Sequence, residues 1–160
     1  MRQQPLLYLE TSIFGFYCDD AARNYLRREA VRALFRQVEL GTLNAVVSRL
    51  TIQELSRSAP TTRTVVLSLA RTANMLDVDE HEVGRLAALY VAQAIIPAAY
   101  SADALHAAYA AVSGSEVLVT LNLKHLANEW ASRRLNAANR KAGYPTVSIR
   151  TPEEVLHYEE

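Results

Sequence analysis

Apolar residues fall along this chain in two alternating patterns, short continuous runs and longer stretches at helical spacing. Leu6-Leu7-Tyr8-Leu9 is apolar at every position and breaks off at Glu10-Thr11-Ser12. That predicts a strand buried on both faces, as in a parallel sheet covered by helices. Compact runs of the same kind occupy 43–47, 75–78, 117–120 and 146–149. Between them, Leu26, Ala30, Ala33, Leu34 and Val38 recur at helical spacing after Asn24 and before Gly41, with Arg23, Arg27, Arg28, Arg32 and Arg36 over much of the other face. This is an amphipathic helix with its stop signal. Further helices are predicted from Ser12, from Pro60 through Ala70, from Asp79 towards Pro97, from Ser101 to Gly114, through Leu126, Trp130 and Leu135, and from Thr151. Strand and helix alternate throughout, so the expected class is a doubly wound α/β domain.

Three helix starts read as capping boxes: Thr51-Ile52-Gln53-Glu54, Asp79-Glu80-His81-Glu82 and Thr151-Pro152-Glu153-Glu154. In each, the last acid would fold back onto the free amide of the first residue. The acids at 79–82 also suit the positive end of a helix dipole and are assigned no chemistry. For Glu54 the local sequence favours the cap. The alternative is a side chain facing Glu10 across the crevice beyond the strands.

Composition narrows the class. The 160 residues are half hydrophobic and 21% charged, as expected of one globular domain spanning 1–160. Cys18 is the sole cysteine, which excludes an internal disulfide and a Cys-rich metal site. No stretch reads as a membrane span, and Met1-Arg2-Gln3-Gln4-Pro5 lacks the layout of a signal peptide, so a cytoplasmic protein is expected. No Gly-rich phosphate loop follows any strand, which disfavours a nucleotide-cofactor enzyme.

The net charge is zero, but its sign is unevenly spread. Residues 21–71 hold nine arginines against three glutamates, 72–119 are mostly acidic, and 120–150 turn basic again. Of the 17 basic residues 15 are Arg, the side chain suited to bidentate phosphate contact. Charge runs are usually solvated helix faces. An acidic site between basic segments makes a polyanion worth considering.

The acids supply such a site. Glu10 ends a strand, Glu54 enters the helix after the second strand, Asp103 sits in the first turn of the alanine-rich helix, and Asn122 lies just past a fourth strand. Ligands bind outside the carboxyl ends of the strands in open α/β sheets. Carboxylates gathered there repel one another, and a hard divalent cation such as Mg²⁺ or Mn²⁺ is one remedy. Such an ion can activate water and neutralise charge on a phosphodiester. Bland readings stand beside this one. His106 reads as a surface or interface histidine, His125 as a phosphate contact or a cap. Tyr8, Tyr100 and Tyr109 read as packing rather than base-stacking platforms.

The segments Leu7-Tyr8-Leu9-Glu10-Thr11-Ser12, Ser48-Arg49-Leu50-Thr51-Ile52-Gln53-Glu54-Leu55, Ala102-Asp103-Ala104-Leu105-His106-Ala107-Ala108 and Leu118-Val119-Thr120-Leu121-Asn122-Leu123-Lys124-His125-Leu126-Ala127-Asn128 span nearly the whole chain. In order and spacing they resemble PIN-domain proteins of the VapC type, the ribonuclease toxins of bacterial toxin–antitoxin pairs. The resemblance implies a three-layer sandwich with a central parallel sheet of about five strands. It also implies metal-dependent cleavage of RNA. Glu54 and Asp103 match the family's acidic positions. Glu10 stands where Asp is commoner, and Asn122 where many members carry a fourth acid. The implied metal ligands for Mg²⁺ or Mn²⁺ are Glu10, Glu54 and Asp103, with Asn122 completing the catalytic set through water. Thr11 and Thr120 match hydroxyl positions that support the ligands. Arg49, Lys124, His125 and Arg133 are the expected RNA contacts. A homodimer and a cognate antitoxin are further implications. The two departures, Glu10 and Asn122, also leave room for a non-catalytic PIN-like module that binds RNA or protein.

Overall fold

A computed structural model describes residues 4–157; the remaining three at each end, including part of the N-terminal stretch considered above for targeting, lie outside the described residues. The first strand, β1 (Leu6–Leu9), is followed by the helix α1 (Ser12–Tyr17), a 3-10 turn at Ala22–Asn24 and α2 (Tyr25–Glu39). Next come β2 (Asn44–Val47), α3 (Arg49–Leu55), α4 (Pro60–Ala70), β3 (Asn74–Met75) and α5 (Glu80–Ala92). A second 3-10 turn at Ala98–Tyr100 leads into α6 (Ser101–Val112), β4 (Val117–Val119), α7 (Glu129–Ala142), β5 (Ser148–Arg150) and α8 (Pro152–His157).

The five strands form one parallel sheet in the order β3-β2-β1-β4-β5. Side chains alternate across it, as the strand period requires. On one face Tyr8, Val46, Leu118 and Ile149 pack with Leu86 and Tyr90 of α5, the alanines of α6 and Leu135 of α7. On the other, Leu7, Leu9, Ala45, Val47 and Val119 meet Phe14, Val31, Leu34, Phe35 and Val155. Helices therefore cover both faces, and the fold is a three-layer α/β sandwich. None of the described helices is long and apolar enough to cross a membrane.

The strand order places a switch point between β1 and β4. From β1 the chain builds outward through β2 and β3; it then returns to the other side of β1 for β4 and β5. A crevice opens at such a point, outside the carboxyl ends of the strands. Glu10 and Thr120, the residues just past β1 and β4, meet there.

Several local expectations need correction. The Thr51–Glu54 box does not form: α3 starts three residues earlier than expected, and Ser48 Oγ accepts from the Thr51 amide at 3.2 Å. Asp79 does cap α5 by accepting from His81 N, but Glu82 accepts instead from the Tyr144 hydroxyl. Ser12 is not the cap of α1, because its side chain serves Glu10. The helix expected through Leu126 begins only at Glu129, where Asn128 Oδ1 accepts from Ala131 N. The box at Thr151 and Glu154 is present as expected.

Candidate functional site

Glu10 is the deepest of the acids, 6% exposed at the end of β1. Three donors surround its carboxylate. Ser12 Oγ at 2.5 Å and Thr120 Oγ1 at 2.6 Å donate to Oε1, and Ser12 N donates to Oε2 at 2.8 Å. Burying a charge is tolerable only when such bonds replace water. The seryl hydroxyl also accepts from Leu121 N at 2.9 Å, so Glu10 ties the loop after β4 to the loop after β1.

Glu54 lies in the last turn of α3, away from the helix start that the box pattern assigned to it. Its Oε1 accepts from the Thr11 hydroxyl at 2.7 Å and stands 2.5 Å from Nε2 of His106. Burial opposes ionisation here. The hydrogen bond from His106, the Thr11 hydroxyl and the nearby Arg57 outweigh it and hold the carboxyl below its ordinary range.

Asp103 sits one turn before His106 on α6 and is partly buried. Its Oδ2 lies 2.9 Å from His125 Nδ1. Tyr100 packs against that imidazole with ring centroids 4.1 Å apart, and the Lys124 ammonium rides 5.9 Å from the Tyr100 ring centre. Asn122 turns its Oδ1 to His125 N at 3.1 Å, so its side-chain oxygen shapes the loop that carries His125. Arg49 is exposed at the start of α3, while Arg133 pairs with Glu129 on the exposed face of α7.

Two networks thus lie side by side along residues 10–12, Glu10 with Ser12 and Thr120 and Thr11 with Glu54 and His106, while Asp103, one turn from His106 on α6, bonds His125. Sequence reasoning misjudged His106, which is not a surface residue but 1% exposed. The available signal was its place on the apolar face of an alanine-rich helix, one turn from an acid. A tyrosine hydroxyl at position 8 inside an apolar run also had to find a partner.

The donors are hard oxygens, which suit Mg²⁺ or Mn²⁺. Among the described residues, Glu54 and Asp103 each engage a single carboxylate oxygen. Convergence is incomplete, however. Among the described residues no three His, Cys, Asp or Glu side chains form a group that could hold one ion. As placed, these acids do not form the three-carboxylate set of Glu10, Glu54 and Asp103 expected from the sequence; Mg²⁺ is ordinarily bound through one or two carboxylates with several waters. Comparison of the chain with protein-family models and with curated proteins finds no match.

Proposed function

We propose that this chain is a divalent-metal-dependent endoribonuclease of PIN type, acting in the cytoplasm as the toxin of a toxin–antitoxin pair. The observation that carries the reading is the meeting of Glu10, Glu54 and the Asp103-bearing helix at the switch point of a parallel sheet. Glu54 supports it most directly, because its carboxylate is spent on Thr11 and His106 rather than on its own helix start.

Glu54 and Asp103 would hold Mg²⁺ or Mn²⁺, with Glu10 behind them, and the ion would lower the pKa of a bound water and offset charge on the phosphodiester. The chain's own groups supply the rest. Thr11 and Thr120 orient the carboxylates of Glu54 and Glu10. His125 pairs with Asp103 and Lys124 stands over the Tyr100 ring that packs on His125; the two would offer donor and cationic groups to a phosphate backbone. Arg49 adds a further phosphate contact at the start of α3. Binding should weaken as salt rises. On the resemblance alone the proposal extends to a homodimer and to an antitoxin that covers the crevice.

A second reading keeps the fold and drops the chemistry: a PIN-like module that binds RNA or protein without cutting. It is favoured by the pairing of both Glu54 and Asp103 with histidines and by the commitment of the Asn122 oxygen to its own loop. Incubation of mixed RNA with Mn²⁺ or with EDTA separates the two. The nuclease reading expects products with Mn²⁺ alone, and a loss of about 100-fold or more in Asp103→Asn, as for removal of a principal charge-stabilising group. Retention of RNA without metal-dependent products would select the binding module.

A further inference from the structure

We infer that His106 is the positioning residue of Glu54, its Nε2–H held on the carboxylate by a hydrogen-bonded chain that starts at the cap of α3. The kinetic part of its test rests on the proposed nuclease activity; the geometry does not.

An ionised carboxylate only accepts hydrogen bonds, so the 2.5 Å contact between Glu54 Oε1 and His106 requires the proton on Nε2. On the other side of the ring, Nδ1 lies 2.7 Å from the Tyr8 hydroxyl, whose oxygen is also 2.7 Å from Ser48 Oγ. Ser48 Oγ accepts in turn from Thr51 N at 3.2 Å. In the neutral ring Nδ1 accepts, and the donors can then follow one direction. Thr51 N–H donates to Ser48, the Ser48 hydroxyl to Tyr8, the Tyr8 hydroxyl to Nδ1, and Nε2–H to Glu54. Every link before Glu54 is buried, so water offers no competing partner.

The ring is also held mechanically. Tyr8 is tilted at 59° to the imidazole with centroids 5.8 Å apart, and its other contact is a near-parallel stack on Tyr109. The consequence spans three elements. One imidazole from α6 connects the first and last turns of α3, through a tyrosine of β1. Because Asp103 is one turn away on α6, the same ring sets where Glu54 stands relative to that second acid. A histidine that only filled space would need neither a defined tautomer nor an Nε2 donor.

The test begins on metal-free protein labelled with ¹⁵N-histidine, where nitrogen shifts report the tautomer without any variant. His106 should carry its proton on Nε2 and should keep it there in Tyr8→Phe, where Glu54 still accepts it. In RNA cleavage, His106→Ala should lower kcat by about 10- to 100-fold with KM little changed, the range for groups that orient ligands. His106→Gln, whose amide N–H can reach the same carboxylate, should recover most of that loss. An Nε2 without a proton, or a Gln variant as slow as the Ala variant, would overturn the assignment. A wild-type protein that cuts no RNA overturns the proposed activity instead. Mn²⁺ affinity then replaces kcat: wild type and Gln binding more tightly than Ala upholds the positioning role, and equal affinities overturn it.

Discussion

Glu10 carries a formal charge into a site that is 6% exposed, and its three donors come from Ser12 and Thr120. This makes a prediction that separates two accounts of the acid. If mutual repulsion among carboxylates dominated, Glu10→Gln would be neutral or stabilising in metal-free protein. The hydrogen bonds require the opposite, because the amide NH₂ of Gln would face a donor where Oε2 now accepts from Ser12 N. Leaving such a group unsatisfied costs about 1–3 kcal/mol. Urea denaturation of the variant should show a loss of that size. No loss would mean that the donors are replaceable by water. The sequence exposed the acid at the strand end, since a carboxylate closing an apolar run is conspicuous. It did not expose Ser12 as a partner, and Thr120, 110 residues away, was reached through the family resemblance alone, because it meets Glu10 only once β4 lies beside β1.

At the scale of elements, α3 shows how a correct pattern can name the wrong bond. Thr51 and Glu54 have capping-box spacing, yet Ser48 already satisfies the Thr51 amide, which frees Glu54 for Thr11 and His106. The Thr51 amide therefore discriminates the two. Its hydrogen exchange should accelerate in Ser48→Ala, with about 0.5–2 kcal/mol of stability lost, and should be unchanged in Glu54→Gln. The reverse result would restore the box. Strand limits slipped for a similar reason. Residues 146–149 read as a strand, but β5 is Ser148–Arg150, because Asn136 takes both backbone groups of Val147. Leu126 reads as part of a helix, but the Asn122 carbonyl accepts from Leu126 and Ala127 and closes a turn instead. Periodicity finds the element, and side-chain competition for backbone groups trims its ends. The Tyr8 contact of His106 was illegible for a stronger reason. The partners lie 98 residues apart, and no local pattern encodes that contact.

Across the whole molecule, alternation of runs and helices was enough to give a parallel α/β sheet, while the order β3-β2-β1-β4-β5 needed the structure. That order decides which loops share a crevice. It also buries tyrosines from several elements: Tyr8 on β1, Tyr90 on α5 and Tyr109 on α6. Burial pushes all three hydroxyls above their ordinary value of 10.0, helped at Tyr109 by Glu80. Above that pH the unfolded chain releases protons that the folded chain keeps, so stability is complete below it and falls as pH rises. For Tyr8 the slope is about 1.4 kcal/mol per pH unit. Urea midpoints measured from neutral pH to about pH 11 should fall, and more shallowly in Tyr8→Phe, although that variant starts lower. An identical slope would show that Tyr8 titrates normally in the folded state.

The proposed gathering of acids around a cation is open to direct measurement by titrating Mn²⁺ into the protein in a calorimeter, with Glu54→Gln and Asp103→Asn alongside. Binding to the wild type, weakened about tenfold or more in each variant as expected for lost ligands or their supports, is the predicted result. A wild type that takes up no Mn²⁺, or variants that bind it equally well, would contradict it.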